Sequence, residues 1–247
     1  MPKIETLKKD SPKNKSVLLF SGGMDSYIIS QLDNPDILLY LNHGQKYRVY
    51  EENSIYELIN KGFLNKDKVI SKNYIQLGEF ERDDMIIPLR NLFFLGLASL
   101  FGEKIYLASV SGDRTLDKSK EFFNKIEELF NYLYQEQHWC KERKFEILAP
   151  YKDLTKTEMV KLYLEKELNP EALLVSYSCY TGGLKPCGSC KPCFRKWVAL
   201  KNNNINTKGY FKTNPWESEW LPNLLPKIKQ GLWRGKEDKD ILKALDL

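Results

Sequence analysis

Residues Val17-Leu18-Leu19-Phe20-Ser21-Gly22-Gly23-Met24-Asp25-Ser26 carry the first recognisable chemistry of this chain. An apolar run stops at two glycines, an acid and a flanking pair of serines, then gives way to Tyr27-Ile28-Ile29. The pattern predicts a buried strand, a tight turn and the first turn of a helix. Unpaired N–H groups and the dipole at a helix N-terminus attract anions, and glycines let the backbone approach a phosphate closely. Ser21 and Ser26 add hydroxyl donors, and Asp25 could hold a Mg2+ ion that shares the phosphate charge. The competing reading is a purely structural turn in which Gly-Gly-Met-Asp-Ser serves as an N-cap. No lysine follows the second glycine as in a Walker loop, and G-x-G-x-x-G does not occur, which disfavours a Rossmann dinucleotide site.

Four of the five cysteines fall within fifteen residues, at Cys179, Cys187, Cys190 and Cys193. Turns at Gly188 and Pro192 bring successive thiolates of this C-x7-C-x2-C-x2-C run to one point. Four thiolates satisfy the tetrahedral preference of Zn2+ and leave no open position, so such a site is structural rather than catalytic. An iron–sulfur cluster also uses four cysteines and remains the alternative. Cys140, alone after His138-Trp139, reads as a buried free thiol.

These groups need a scaffold, and the alternation of elements supplies one. A helix is expected from Ser26 to Leu32, a buried strand at Ile37–Leu41, and a helix near Val49–Lys61. A short strand follows at Lys68–Ile70, then a polar loop through 71–87 and an apolar helix from Leu92 to Phe101. A strand at Lys104–Val110, a helix near Ser119–Gln137 and a strand at Phe145–Leu148 complete the pattern. Thr155 and Glu158 then open a capped helix. Such alternation predicts a doubly wound α/β fold with a parallel sheet, and ligands beyond the carboxyl ends of its strands. Ser21, His43, Ser111 and Pro150 emerge there.

Composition bounds the rest. The 247 residues include 38 Lys and Arg against 33 Asp and Glu, a net charge of +5 with no basic block. No apolar run approaches the roughly 18 residues of a membrane span, and the charged first residues lack a secretory h-region. A cytoplasmic location and no membrane or direct nucleic-acid partner are therefore expected. With only His43 and His138 present, a histidine-rich metal site or a hydrolase triad is poorly supported.

The string at 21–26 resembles the pyrophosphate (PP) loop of ATP pyrophosphatases. Over roughly residues 16–200 the chain is similar to the 7-cyano-7-deazaguanine synthase (QueC) family of that superfamily. The likeness rests on 20–26, on His43-Gly44-Gln45-Lys46-Tyr47-Arg48, on 87–99 with Arg90-Asn91, and on 110–113. It continues through 116–123, 149–159 and the cysteine segment at 178–193. The family usually has glycine where Leu89 stands, and Ser119 replaces a basic residue often found there.

The resemblance implies a synthase that activates 7-carboxy-7-deazaguanine with ATP, lets ammonia displace AMP to give an amide, and dehydrates the amide to a nitrile after a second activation. It implies ATP, Mg2+ and Zn2+ as cofactors and a homodimer. Phe20, Ser21, Gly22, Gly23, Met24, Asp25 and Ser26, with His43 and Asn91, would bind the nucleotide. Ser21, Asp25, Lys156 and Arg90 would be catalytic, and Arg90, Asp113 and Asp117 would meet the substrate. Cys179, Cys187, Cys190 and Cys193 would hold the metal. His43 reads equally as a surface histidine, Lys156 as a solvated lysine, and Asp113 and Asp117 as loop or cap acids. Residues 1–175 form the expected nucleotide-binding domain and 176–247 a metal-binding segment with a helical tail bearing Trp216, Trp220 and Trp233. Alternatives are a relative that stops at the amide, a tRNA-base-modifying PP-loop enzyme, and a zinc-ribbon binding module without chemistry.

Overall fold

The computed structural model describes residues 14–247. Five short strands, β1 (Ser16–Leu19), β2 (Ile37–Leu41), β3 (Val69–Lys72), β4 (Lys104–Tyr106) and β5 (Glu146–Leu148), form one parallel sheet in the order β3-β2-β1-β4-β5. All five residues of β2 are buried, as expected for a strand covered on both faces. Side chains of β1 alternate between the two layers. Leu18 packs with α1 (Met24–Leu32) and α5 (Lys156–Glu165), while Val17 and Leu19 meet α3 (Arg90–Ala98) and α4 (Lys120–Leu133). The connection from β1 runs one way to β2 and β3, and the return to β4 crosses to the other side of β1. That reversal opens a crevice at the carboxyl ends of β1 and β4.

The helices follow their sequence patterns. Ser119 caps α4 by accepting from the Phe122 N–H at 3.1 Å, and Phe123, Ile126 and Phe130 form its buried stripe. Each contributes about 1.5–3 kcal/mol of burial. Thr155 and Glu158 make the expected reciprocal capping box on α5. Two elements end four residues short of expectation. The ladder of β4 ends at Tyr106, because its partner β5 stops at Leu148. Helix α4 ends at Leu133, where Tyr134 turns to pack on Phe145 with ring centroids 4.8 Å apart. The following turn leaves Cys140 half-buried rather than enclosed, its thiol on the Gln135 carbonyl.

Beyond the short α6 (Glu171–Val175), α7 (Lys191–Asn202) divides its faces between two cores. Ala199 and Leu200 join the cluster around β1 and α1. Phe194, Trp197 and Val198 meet Trp233, Ile228 and Ile241 from α8 (Leu221–Lys229), α9 (Lys236–Ala244) and the segment between them. The tail is therefore helical, as its sequence suggested, and it packs on α7. Among the described residues no helix is long and apolar enough to cross a membrane.

Candidate active site

The crevice between β1 and β4 is a cavity of about 250 Å3. Its floor is the turn that joins β1 to α1. Gly22 sits at φ +70°, where a side chain would be strained and a Cβ would press on Ile55 and the Glu51 carbonyl. Gly23 is the N-cap, and no side chain caps this helix. The glycine turn thus does supply the N-cap, through the Gly23 backbone and not through a side chain. Instead, Ser26 Oγ donates to the Gly23 carbonyl at 3.1 Å and lies 3.3 Å from Ser21 Oγ, ordering the turn from within. The N–H groups of the first turn of α1 are left to a ligand.

Asp25 and Lys156 meet across this floor as an ion pair through Asp25 Oδ2. The capping box at Thr155 fixes the start of α5 and so aims Lys156 inward. Asp25 Oδ1 is buried with no partner among the described residues. A carboxylate oxygen bare beside an uncapped helix N-terminus fits a hard cation shared with phosphate.

A second charged group lies on the β4 side. Asp113 accepts from Lys118 Nζ at 2.8 Å and from Arg195 Nη1 at 3.2 Å. Burial opposes its charge, but the Lys118, Arg195 and Lys156 cations outweigh that and hold its carboxyl well below the usual range. Arg195, on α7, in turn makes a two-pronged pair with Glu237 of α9, with both contacts 2.7 Å long. Arg234 Nη1 donates to the Gly112 carbonyl at 2.7 Å and Arg114 Nη1 to the Trp233 carbonyl at 2.5 Å. The tail thereby clamps the 110–114 loop. Lys196, buried beside them, donates to the Ser176 carbonyl at 2.6 Å, and burial lowers its pKa to about 7.

The β2 side carries His43, Tyr47, Glu51, Arg90 and Asn91. His43 is buried, not on the surface, and its ring meets Phe94 edge-on with centroids 4.9 Å apart. Arg90 begins α3 and lies 5.8 Å over the same Phe94 ring. Asn91 Nδ2 donates to Asp117 Oδ2 at 2.8 Å. The structure thus brings Ser21, Gly23, Asp25, Ser26, His43, Arg90, Asn91, Asp113 and Lys156 to one cavity, with Phe20 and Met24 in its lining. It does not bring Asp117 there, since that carboxylate serves Asn91, and Gly22 acts beneath the lining through its turn. Asp113 lines the cavity with both oxygens already engaged. Glu51, Lys118, Arg195 and Glu237 escaped sequence reasoning. Arg195 stands two residues after Cys193, a position that could have marked it.

The four cysteines form the adjoining wall. Their sulfurs lie within 4.8 Å of one another, with Cys187–Cys193 at 3.9 Å and Cys179–Cys190 at 4.0 Å. A tetrahedron with metal–sulfur bonds of about 2.3 Å has edges of about 3.8 Å, so the set fits one thiophilic ion. A four-iron cluster adds its own iron–iron edges and needs a wider set. Backbone N–H groups of Cys187 and Cys190 donate to Cys179 and Cys187 sulfurs, both at 3.3 Å. The tail holds this segment too: Lys212 and Thr213 N–H donate to the Pro186 and Cys187 carbonyls at 2.9 and 3.1 Å. Tyr177, Ser178, Cys179, Tyr180 and Pro192 all face the cavity.

A doubly wound α/β sheet, a glycine turn open to phosphate at its switch point and a four-cysteine wall define a PP-loop type of protein. The family model described as "Queuosine biosynthesis protein QueC" matches residues 42–204, and the chain belongs to that family. A 7-cyano-7-deazaguanine synthase of Methanobrevibacter smithii is 31% identical over 221 residues, covering 76% of this chain and 93% of that one. The one from a Marinomonas species is 28% identical, covering 83% and 98%. The Sulfolobus acidocaldarius synthase is 27% identical over 81% of this chain, which spans only 48% of that relative's length. Matched members are named synthases, so the family is one of enzymes. A solved U34-tRNA thiolase NcsA from Methanococcus maripaludis, described with its [4Fe-4S] cluster, aligns over 95% of this chain and 75% of that one. The two chains are 15% identical in sequence and superpose with a TM-score of 0.40.

Proposed function

We propose that the protein converts 7-carboxy-7-deazaguanine, ammonia and ATP into 7-cyano-7-deazaguanine. A carboxylate oxygen is a poor leaving group. Transfer of AMP from ATP to the acid, with loss of pyrophosphate, replaces it with a good one. Ammonia then displaces AMP and leaves the amide. A second AMP transfer to the amide oxygen, again releasing pyrophosphate, lets that oxygen leave with AMP as the nitrile forms. The observation that carries this reading is the convergence of Asp25, Lys156 and the uncapped start of α1 on one cavity.

The chain's own part is positioning and charge stabilisation. N–H groups of the turn and the hydroxyl of Ser21 hold the departing pyrophosphate, and Lys156 faces its developing charge. Asp25 Oδ1 would hold Mg2+, which neutralises phosphate oxygens when bound. Arg90 offers a guanidinium to the acid. Cys179, Cys187, Cys190 and Cys193 would hold Zn2+, which fixes the wall formed by Tyr177–Tyr180.

Incubation with ATP, Mg2+, ammonium and 7-carboxy-7-deazaguanine, followed by mass spectrometry, tests the proposal. Nitrile supports it, amide alone supports a synthase that stops one step earlier, and untouched acid overturns both.

A further inference from the structure

Two residues that line the cavity, His43 and Glu51, each carry a hydrogen-bond acceptor with no donor among the described residues. The side chain of His43 is buried, and its Nδ1 lies 3.0 Å from the Leu41 carbonyl. A carbonyl only accepts, so Nδ1 carries the hydrogen and Nε2 presents a lone pair. That atom has no partner among the described residues. Burial lowers the ring's pKa to about 4, which keeps Nε2 an acceptor at neutral pH.

Glu51 is the second acceptor. Its Oε2 takes hydrogen bonds from Gln45 Nε2 at 2.6 Å and from the Tyr40 hydroxyl at 3.4 Å. Its Oε1 takes none among the described residues. Gln45 also accepts from the His43 N–H at 3.1 Å, so one amide ties the two acceptors into a unit. Burial raises the Glu51 pKa to about 7, the behaviour of a carboxylate short of donors. Arg90 lines the same end of the cavity with no hydrogen bond or ion pair from its guanidinium among the described residues.

We propose that His43 Nε2 and Glu51 Oε1 bind the paired N–H edge of a guanine-type base, while Arg90 faces the edge that carries its carbonyl and carboxylate. The identity of that base rests on the function proposed above. A guanine-type ring presents a ring N–H beside an exocyclic amino group, two donors for two acceptors. Adenine presents one amino group beside a ring nitrogen that itself accepts, so one of the pair would face a lone pair. The assignment moves base recognition from Asp113, whose carboxylate oxygens the protein already occupies, and from Asp117, which lies outside the cavity lining, to the β2 side of the cavity, and it takes His43 from the nucleotide to the base.

Calorimetric binding tests it, with 7-carboxy-7-deazaguanine, its analogue lacking the 2-amino group, and ATP with Mg2+ as separate probes. Wild type should bind the analogue on the order of 10- to 100-fold more weakly than the acid, the effect of one hydrogen bond to a charged group. Glu51→Gln should bind the acid weakly and lose that discrimination, with ATP affinity within about twofold of wild type. His43→Phe, which keeps the ring against Phe94, should weaken the acid and again leave ATP unchanged. Variants that keep full discrimination, or that lose ATP affinity instead, overturn the assignment. Wild type that binds ATP but not the acid overturns the function on which the assignment rests.

Discussion

Replacing Glu237 with alanine removes the partner of a buried cation. The Arg195 side chain is 9% exposed and that of Glu237 is 1% exposed, with their closest contact at 2.7 Å. Breaking such a pair costs about 3–5 kcal/mol, because the remaining charge keeps its desolvation without its partner. Asp113 still lies 3.2 Å from Arg195, which places the expected loss at the lower end, about 3 kcal/mol. For a chain of this size that lowers Tm by roughly 6–12 °C. Thermal and urea unfolding followed by circular dichroism would measure it, at low and at high salt. A buried pair is little screened, so the loss should persist in 1 M NaCl. A double-mutant cycle with Arg195→Met should return a coupling of at least about 1.5 kcal/mol. A loss below about 1 kcal/mol, or one that salt abolishes, is the behaviour of an exposed pair and would refute the clamp.

Four further outcomes are expected. Asp25→Asn and Lys156→Met should each lower AMP and pyrophosphate release on the order of 100-fold while leaving the circular dichroism spectrum unchanged; activity near wild type would remove both from the phosphate site. Leu89 sits at φ +59° and is 62% exposed. Relief of its left-handed backbone exceeds the added freedom of an unfolded glycine, so Leu89→Gly should stabilise by up to about 1 kcal/mol in urea unfolding; destabilisation would show that the side chain has a partner. The Glu51 carboxyl is raised from 4.5 to about 7, so its favourable share of stability is present below pH 4.5 and is lost as pH rises to about 7. Relative to Glu51→Gln, wild type should lose at most about 3 kcal/mol between pH 4.5 and 8, and a difference that stays flat with pH contradicts the burial argument. If the four cysteines hold an ion, a chelator should release the 177–220 segment and shift Trp216 and Trp220 emission to the red; unchanged emission would mean that the tail holds its shape without an ion.

Features written locally in the chain were legible. The parallel sheet follows from apolar runs alternating with helices, the turn at Ser21–Ser26 from its glycines, and the convergence of the four cysteines from their spacing. The capping box at Thr155 placed Lys156 because a cap fixes where a helix begins. Long-range pairing was not legible. Arg195 and Glu237 are separated by 42 residues, and nothing local marks either as buried. Asp113 shows the same limit. An acid in a loop looks alike whether it reads a ligand or neutralises two cations, and only the packing of α7 and α9 distinguishes them. Glu51 sits on α2 (Arg48–Asn60), a helix with little amphipathic contrast, so its inward turn left no periodic signature.

The cysteine wall gives one further consequence. Tyr177, Cys179 and Tyr180 belong at once to the cavity lining and to the loop that would fold around an ion. Two ligands that order the same residues share a free energy of coupling, and that coupling is reciprocal. If the ion tightens nucleotide binding by some factor, the nucleotide must tighten ion binding by the same factor. ATP would then slow the chelator, and cellular metal supply would enter the enzyme's apparent affinity for its nucleotide.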